Sequence, residues 1–164
     1  MNSNVALSIV VPIYNEEESL PFLVNQLLEV LQPMEETFEL VLVNDGSSDN
    51  SAEVIRKLSF EIPELVGVLL RKNYGQTAAM AAGFDISSGD IVVTLDGDLQ
   101  NDPADIPLLV NKIRDGFDLV SGWRFRRQDA AISRKLPSKI ANRLIGKVTG
   151  CLLYTSPSPR DLSE

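Results

Sequence analysis

The chain has 164 residues, 44% of them hydrophobic and 23% charged, which is an ordinary globular composition for about one domain. It has no histidine and a single cysteine, Cys151, so an internal disulfide is excluded and the commonest general base is missing. Net charge is −8, yet residues 124–147 carry eight of the 15 basic residues against Asp129 alone, +7 in that segment and −15 elsewhere. Such asymmetry suggests a local anionic partner rather than general nucleic-acid binding. No basic region followed by an apolar core and cleavage site marks a signal peptide, and no run approaches the ~20 apolar residues of a membrane span.

Ala6 to Ile13 (ALSIVVPI) is a near-continuous apolar run, the pattern of a strand covered on both faces. Pro12 falls near its end, where a missing donor is tolerable. A polar loop follows from Tyr14 to Glu18. Leu20, Leu23, Val24, Leu27, Leu28 and Leu31 then recur at the spacing of a helix with one buried face, with Ser19 as its expected cap and Pro21 in its first turn. Phe38 to Val43 predicts a second strand, ending in Asn44-Asp45-Gly46. Ser51 to Ser59 predicts a second helix, and Leu65 to Leu70 a third strand leading into Arg71-Lys72-Asn73-Tyr74-Gly75. Gln76 to Ile86 is an alanine-rich third helix whose small residues allow close packing.

Ile91 to Leu95 reads as a buried fourth strand that ends in Asp96-Gly97-Asp98. Side chains at i and i+2 of an extended segment point the same way, so the two carboxylates are expected to converge. Like charges held that close repel unless a cation sits between them, and Mg²⁺ or Mn²⁺ bound through carboxylates and substrate phosphates suits the spacing. A calcium loop would need Gly and Glu where Asn101 and Pro107 stand, so it is rejected. A hairpin at Asp96-Gly97 is disfavoured by Asp102-Pro103, a cap and first-turn proline that start a helix. Pro103 to Arg114 is that fourth helix, and Phe117 to Trp123 is read as a fifth strand.

Alternating strands and helices with short connections predict an α/β fold, an open, mostly parallel Rossmann-like sheet with helices on both faces. Ligands in such sheets bind at the carboxyl ends of the strands. The polar clusters Asn15-Glu16, Asp45, Arg71 to Asn73, and Asp96-Asp98 all fall there. No G-x-G-x-x-G follows the first strand and no phosphate-loop motif occurs, so a diphosphate would need a metal to neutralise it.

With these loops placed, the chain resembles family 2 glycosyltransferases of the GT-A fold, above all those that move a sugar from a nucleotide sugar to a polyprenyl or dolichol phosphate. The matching stretches are VVPIYNEEE (10–18), VLVNDGSSDNS (41–51), RKNYGQTAAMAAGF (71–84), LDGDLQNDP (95–103) and SGWRFRRQD (121–129). The resemblance implies a GT-A catalytic domain over 1–150. It implies that Pro12, Tyr14, Glu16 and Asp45 hold the nucleoside, with Asn73 in the same nucleotide-sugar set. Asp96, Asp98 and Gln100 would bind the metal, Mg²⁺ or Mn²⁺, and the diphosphate. Arg124, Arg127 and Arg134 would receive the acceptor phosphate, which is already anionic and needs no base. The expected reaction is metal-dependent and inverting, with a UDP- or GDP-sugar donor, in cell-wall or glycan biosynthesis. Asn44 departs from a second aspartate found in many relatives.

Ile132, Leu136, Ile140 and Leu144 predict an amphipathic helix in the basic segment. Its charged face is either simply solvated or a contact with an anionic membrane surface. The resemblance implies work at the cytoplasmic face of a membrane and is compatible with a homo-oligomer of a longer protein. Residues 151–164 leave the family pattern, and their Ser/Pro-rich, aperiodic composition is that of a disordered tail. The chain is therefore expected to be a C-terminally truncated fragment, with part of the acceptor site and the membrane anchor missing. Two other readings share the α/β layout. A receiver-type signalling domain would place its phosphoacceptor aspartate at the third strand, where Leu70-Arg71-Lys72 stands. A nucleotidyltransferase would show a glycine-rich basic loop where YNEEE stands.

Overall fold

The structure is a computed structural model and describes residues 5–99 and 101–122. Four strands, β1 (Leu7–Ile13), β2 (Phe38–Asn44), β3 (Leu65–Leu69) and β4 (Ile91–Thr94), alternate with four helices, α1 (Leu20–Leu31), α2 (Ser51–Glu61), α3 (Gln76–Ile86) and α4 (Ile106–Arg114). All strand pairs are parallel, in the order β3-β2-β1-β4. The chain thus builds outward from β1 to β3, then crosses back to place β4 on the other side of β1.

β1 is buried on both faces because its alternate residues feed two cores. Leu7, Ile9, Val11 and Ile13 pack with Leu20, Leu23, Val24, Leu27 and Leu31 of α1, Ile55 of α2, and Ile106 and Val110 of α4. Val10 turns the other way and packs with Val41, Val43 and Ala79 of α3. Helices therefore cover both faces, as the alternating pattern predicts. Each fully buried aliphatic side chain stabilises the fold by roughly 1.5–3 kcal/mol, so truncating Leu27 at the centre of α1 would cost about 2–5 kcal/mol. Pro12 is tolerated because its missing N–H falls on the β4 side, beyond the last rung there, Leu95 N–H to Val10 C=O at 3.1 Å.

At the opposite end of the sheet, Glu39 accepts hydrogen bonds from the Ser8 hydroxyl (2.5 Å) and the Ser88 N–H (2.6 Å), while Gly89 N–H donates to Ser8 Oγ (2.8 Å). This cluster ties the α3–β4 connection to β1 and β2.

Four local expectations are corrected. Ser19 precedes α1 but caps nothing, because its hydroxyl donates to the Glu16 carboxylate and carbonyl instead. β4 is not buried on both faces: Val93 enters the core, while Val92 and Thr94 are exposed on the sheet's other side, where α3 packs against β1 and β2. The fourth helix opens as a 3₁₀ turn, Pro103–Asp105, capped by the Asp102 carboxylate, which accepts the Ala104 N–H at 2.9 Å. Residues 117–122 form no strand: no ladder is made there, and Phe117 and Leu119 lie in solvent. An apolar run becomes a strand only where its backbone groups find a partner. The strand's last expected residue, Trp123, lies outside the described residues, as do the basic amphipathic helix and the tail 151–164.

Candidate functional site

Because β4 lies on the opposite side of β1 from β2, the strand order reverses between β1 and β4, the point at which open α/β sheets bind ligands. A cleft of about 390 Å³ opens there, lined by Pro12, Ile13, Tyr14, Glu16, Asp45, Asn73, Gly75, Gln76, Asp96, Gly97 and Asp98. Four separate loops meet in it. Seven of the residues singled out from sequence are brought together: Pro12, Tyr14, Glu16, Asp45, Asn73, Asp96 and Asp98. Gln100, Arg124, Arg127 and Arg134 lie outside the described residues.

The loop after β1 is held against the loop after β2. Asn15 adopts a left-handed conformation (φ 57°), which asparagine tolerates better than most residues. Its side-chain oxygen accepts the Ser48 N–H at 2.8 Å, and its own N–H donates to Ser47 Oγ at 2.9 Å. Glu16 N–H donates to the buried Ser51 hydroxyl (2.9 Å), and Glu17 N–H donates to Asp49 (3.1 Å). Burial pushes the Asp49 carboxyl up, but hydrogen bonds from Ser51 and Glu17 outweigh it and hold the group below its ordinary value. Asn15 is thus a loop staple rather than a cleft residue.

Asp45, at the end of β2, is 3% exposed. One of its oxygens accepts the Tyr74 N–H at 2.7 Å, the other the Gly75 N–H at 2.8 Å. Its neighbour Asn44 accepts from the Ser47 N–H (3.2 Å) and hydroxyl, so the departure at position 44 shapes the loop. Gly46 is required where it stands: φ is +63°, and a Cβ would lie 2.2 Å from the Lys72 carbonyl carbon.

Asp96 and Asp98 share the cleft, but not for the reason the spacing suggested. β4 ends at Thr94, Gly97 and Asp98 form a turn, and Leu99 is left-handed (φ 59°). Both residues reach the cleft by a turn instead of by strand pleat. Gly97 is buried against the first loop, where a Cβ would lie 2.8 Å from Ile13 Cδ1 and 3.2 Å from the Pro12 carbonyl. Gln76, which sequence reasoning did not single out, donates through Nε2 to Asp96 Oδ1 at 2.8 Å. Its only sequence signal was its place in the 71–84 stretch, since a neutral amide at a helix start suggests no chemistry.

Among the described residues no group of three or more acidic, cysteine or histidine side chains forms a metal cage. Two carboxylates in one cleft do fit Mg²⁺ or Mn²⁺, which bind through one or two carboxylates together with substrate phosphates. No helix among the described residues is long and apolar enough to cross a membrane.

Comparison with known proteins agrees with this geometry. Residues 8–158 match the family described as Glycosyl transferase family 2. Undecaprenyl-phosphate 4-deoxy-4-formamido-L-arabinose transferase of Photorhabdus laumondii is 48% identical over 146 residues, 88% of this chain and 44% of that protein. The chain thus spans less than half the length of the curated relatives it matches. Among solved structures, S. aureus TarS 1–349 in complex with UDP aligns with TM-score 0.59 and 23% identity over 79% of this chain and 40% of that one. The mannosyltransferase PcManGT of Pyrobaculum calidifontis, in complex with GDP-Man and Mn²⁺, aligns with TM-score 0.52 and 24% identity over 59% of this chain and 28% of that one. These likenesses carry the fold, and the family match runs through all four strands and the cleft between them. The receiver and nucleotidyltransferase readings have no such support, and the chain belongs to glycosyl transferase family 2, with the GT-A fold.

Proposed function

We propose that the cleft holds the nucleotide-sugar donor of a reaction that moves a sugar to a polyprenyl phosphate. The observation that carries this reading is the convergence of four strand-end loops on one acidic cleft at the switch point of the sheet. Pro12, Tyr14, Glu16, Asp45 and Asn73 form the nucleoside side. Asp96 and Asp98, with Gln100, form the diphosphate side and would hold Mg²⁺ or Mn²⁺. A divalent cation there would stabilise the departing nucleoside diphosphate.

The acceptor phosphate carries its own negative charge, so the absence of histidine is no obstacle. Arg124, Arg127 and Arg134 would orient it, preferably through paired N–H donors. Direct displacement then inverts the anomeric carbon. The curated relatives' names support undecaprenyl phosphate as the acceptor and make a 4-deoxy-4-formamido-L-arabinose nucleotide the first donor to test. On this reading 1–150 is the catalytic domain, and the basic segment 124–147 meets an anionic membrane at its cytoplasmic face.

Calorimetric titration with a panel of UDP- and GDP-sugars, with Mn²⁺ and with chelator, tests the donor assignment. Binding of at least one nucleotide sugar, strengthened by the metal, is expected. No binding across the panel in either condition would overturn it.

A further inference from the structure

Asp96 is reached by a side chain from another part of the fold. Gln76, the first residue of α3, donates its Nε2 to Asp96 Oδ1 at 2.8 Å, and both residues line the cleft. The other carboxylate oxygen, Oδ2, lies 3.5 Å from Asn101 Nδ2, at the outer limit of a hydrogen bond. The start of α3 is itself fixed, because Asp45 takes the N–H groups of Tyr74 and Gly75, the two residues immediately before Gln76. Gly75 makes the turn into the helix at φ +96°, with nothing within 4 Å of where a Cβ would stand. A continuous chain of bonds thus runs from the end of β2, through the start of α3, to the end of β4.

We propose that Gln76 is a positioning residue for Asp96: its amide helps hold the carboxylate in the orientation that meets the cation and the diphosphate. This role rests on the donor reading given above. A half-buried carboxylate at the rim of a cleft can still rotate about two side-chain bonds, and a ligand that must first be ordered binds more weakly. A donor to one oxygen removes that freedom in advance, and outer partners of ligating carboxylates typically matter by 10–100-fold in metal affinity. The residue type fits the task. An amide donates without charge, whereas lysine or arginine would repel the cation, and glutamate would add a negative charge without a donor. Gln76 is exposed and belongs to neither core cluster, so its substitution leaves the packing intact.

The test compares the whole chain with Gln76→Ala and with Gln76→Met, which keeps the length but not the donor. Mn²⁺ binding at saturating UDP is followed by electron paramagnetic resonance, and UDP is titrated calorimetrically with Mn²⁺ and with chelator. Both variants are expected to weaken Mn²⁺ about tenfold or more, the loss falling on the Mn²⁺-dependent gain in UDP affinity, with the melting temperature unmoved. If the wild-type chain shows that gain and both variants match it within twofold, the role of Gln76 is overturned while the donor reading stands. If methionine restores what alanine loses, the side chain is filling space and the proposal also fails. A wild-type chain that binds no UDP removes the donor reading and this role together.

Discussion

Asp45 accepts the Gly75 N–H at 2.8 Å through one carboxylate oxygen while its other oxygen takes the Tyr74 N–H at 2.7 Å. The first residue after β2 therefore ties down the start of α3, which follows the neighbouring strand β3. An ionised carboxylate offers about four acceptor positions, so two remain for a ligand in the cleft.

Asp45→Ala should lower stability by about 3 kcal/mol, because hydrogen bonds to a charged group are worth roughly 1.5–3 kcal/mol each and two N–H groups lose their partner. Binding of the nucleoside should weaken as well, with or without metal. Urea unfolding and uridine titration measure the two effects. A stability change under ~1 kcal/mol would show that water replaces the carboxylate at little cost.

Asp98→Asn should remove most of the strengthening that Mn²⁺ gives to nucleoside-diphosphate binding, a loss of about tenfold or more, since the amide is a far poorer ligand for a hard cation. The comparison is between titrations with metal and with chelator. Equal metal dependence in variant and wild type would take Asp98 out of the cation site.

Gly83 of α3 lies against β1 so closely that a Cβ would stand 2.3 Å from Val10 Cγ1 and 3.2 Å from Val43 Cγ2. Gly83→Ala gains helix propensity but overpacks a rigid β-branched neighbour, and should cost about 1–3 kcal/mol. Adding Val10→Ala should recover part of that loss, because the two sites share one space. Chemical denaturation of the single and double variants measures the coupling, and purely additive losses would contradict the contact.

Burial pushes the Glu39 carboxyl up, but hydrogen bonds from Ser8, Ser88 and Gly89 outweigh it and hold the group below its ordinary value of 4.5. The folded protein thus favours the ionised form. Its contribution is present above pH 4.5 and is lost as pH falls through the lower folded value. Glu39→Gln should flatten this part of the acid limb of a stability–pH profile. An unchanged limb would mean that other carboxylates set the acid response.

The segment 124–147, with its +7 charge, should bind anionic vesicles at ~1 kcal/mol per basic residue near the surface. That attraction should fade as added salt shortens the screening length. Co-sedimentation at low and high salt is the measurement. Binding that is absent, or indifferent to salt, would leave these charges as a solvated face.

The parallel sheet was legible because β1 and β2 are apolar enough to be buried on both faces, and α1 because five leucines and valines of one stripe enter the core. Strand-end polarity also pointed to the cleft, since seven singled-out residues line it. What stayed hidden depends on partners distant in the chain. Ser19 looks like any cap until Glu16 is seen to take its hydroxyl. Phe117 to Trp123 has strand composition, but composition cannot supply a neighbouring edge. The bond from Gln76 to Asp96 joins residues on different elements, and nothing in either local stretch announces it.

The crossing back to β4 has a consequence for how the protein is made. Leu7 pairs with Ile91, so the central strand must wait for residues synthesised long after it. Pairings so distant in sequence slow folding, because the loop entropy is lost before the contact is gained. The side of the cleft built by Pro12, Tyr14, Glu16, Asp45 and Asn73 can assemble on β1, β2 and β3 while the fourth strand is still in the ribosome. Asp96 and Asp98 arrive only when Leu95 N–H closes on Val10 C=O. On the proposed donor reading, metal-dependent nucleotide binding would be a late event in the life of each molecule, and a nascent chain that responds to Mn²⁺ would already have paired β4 with β1.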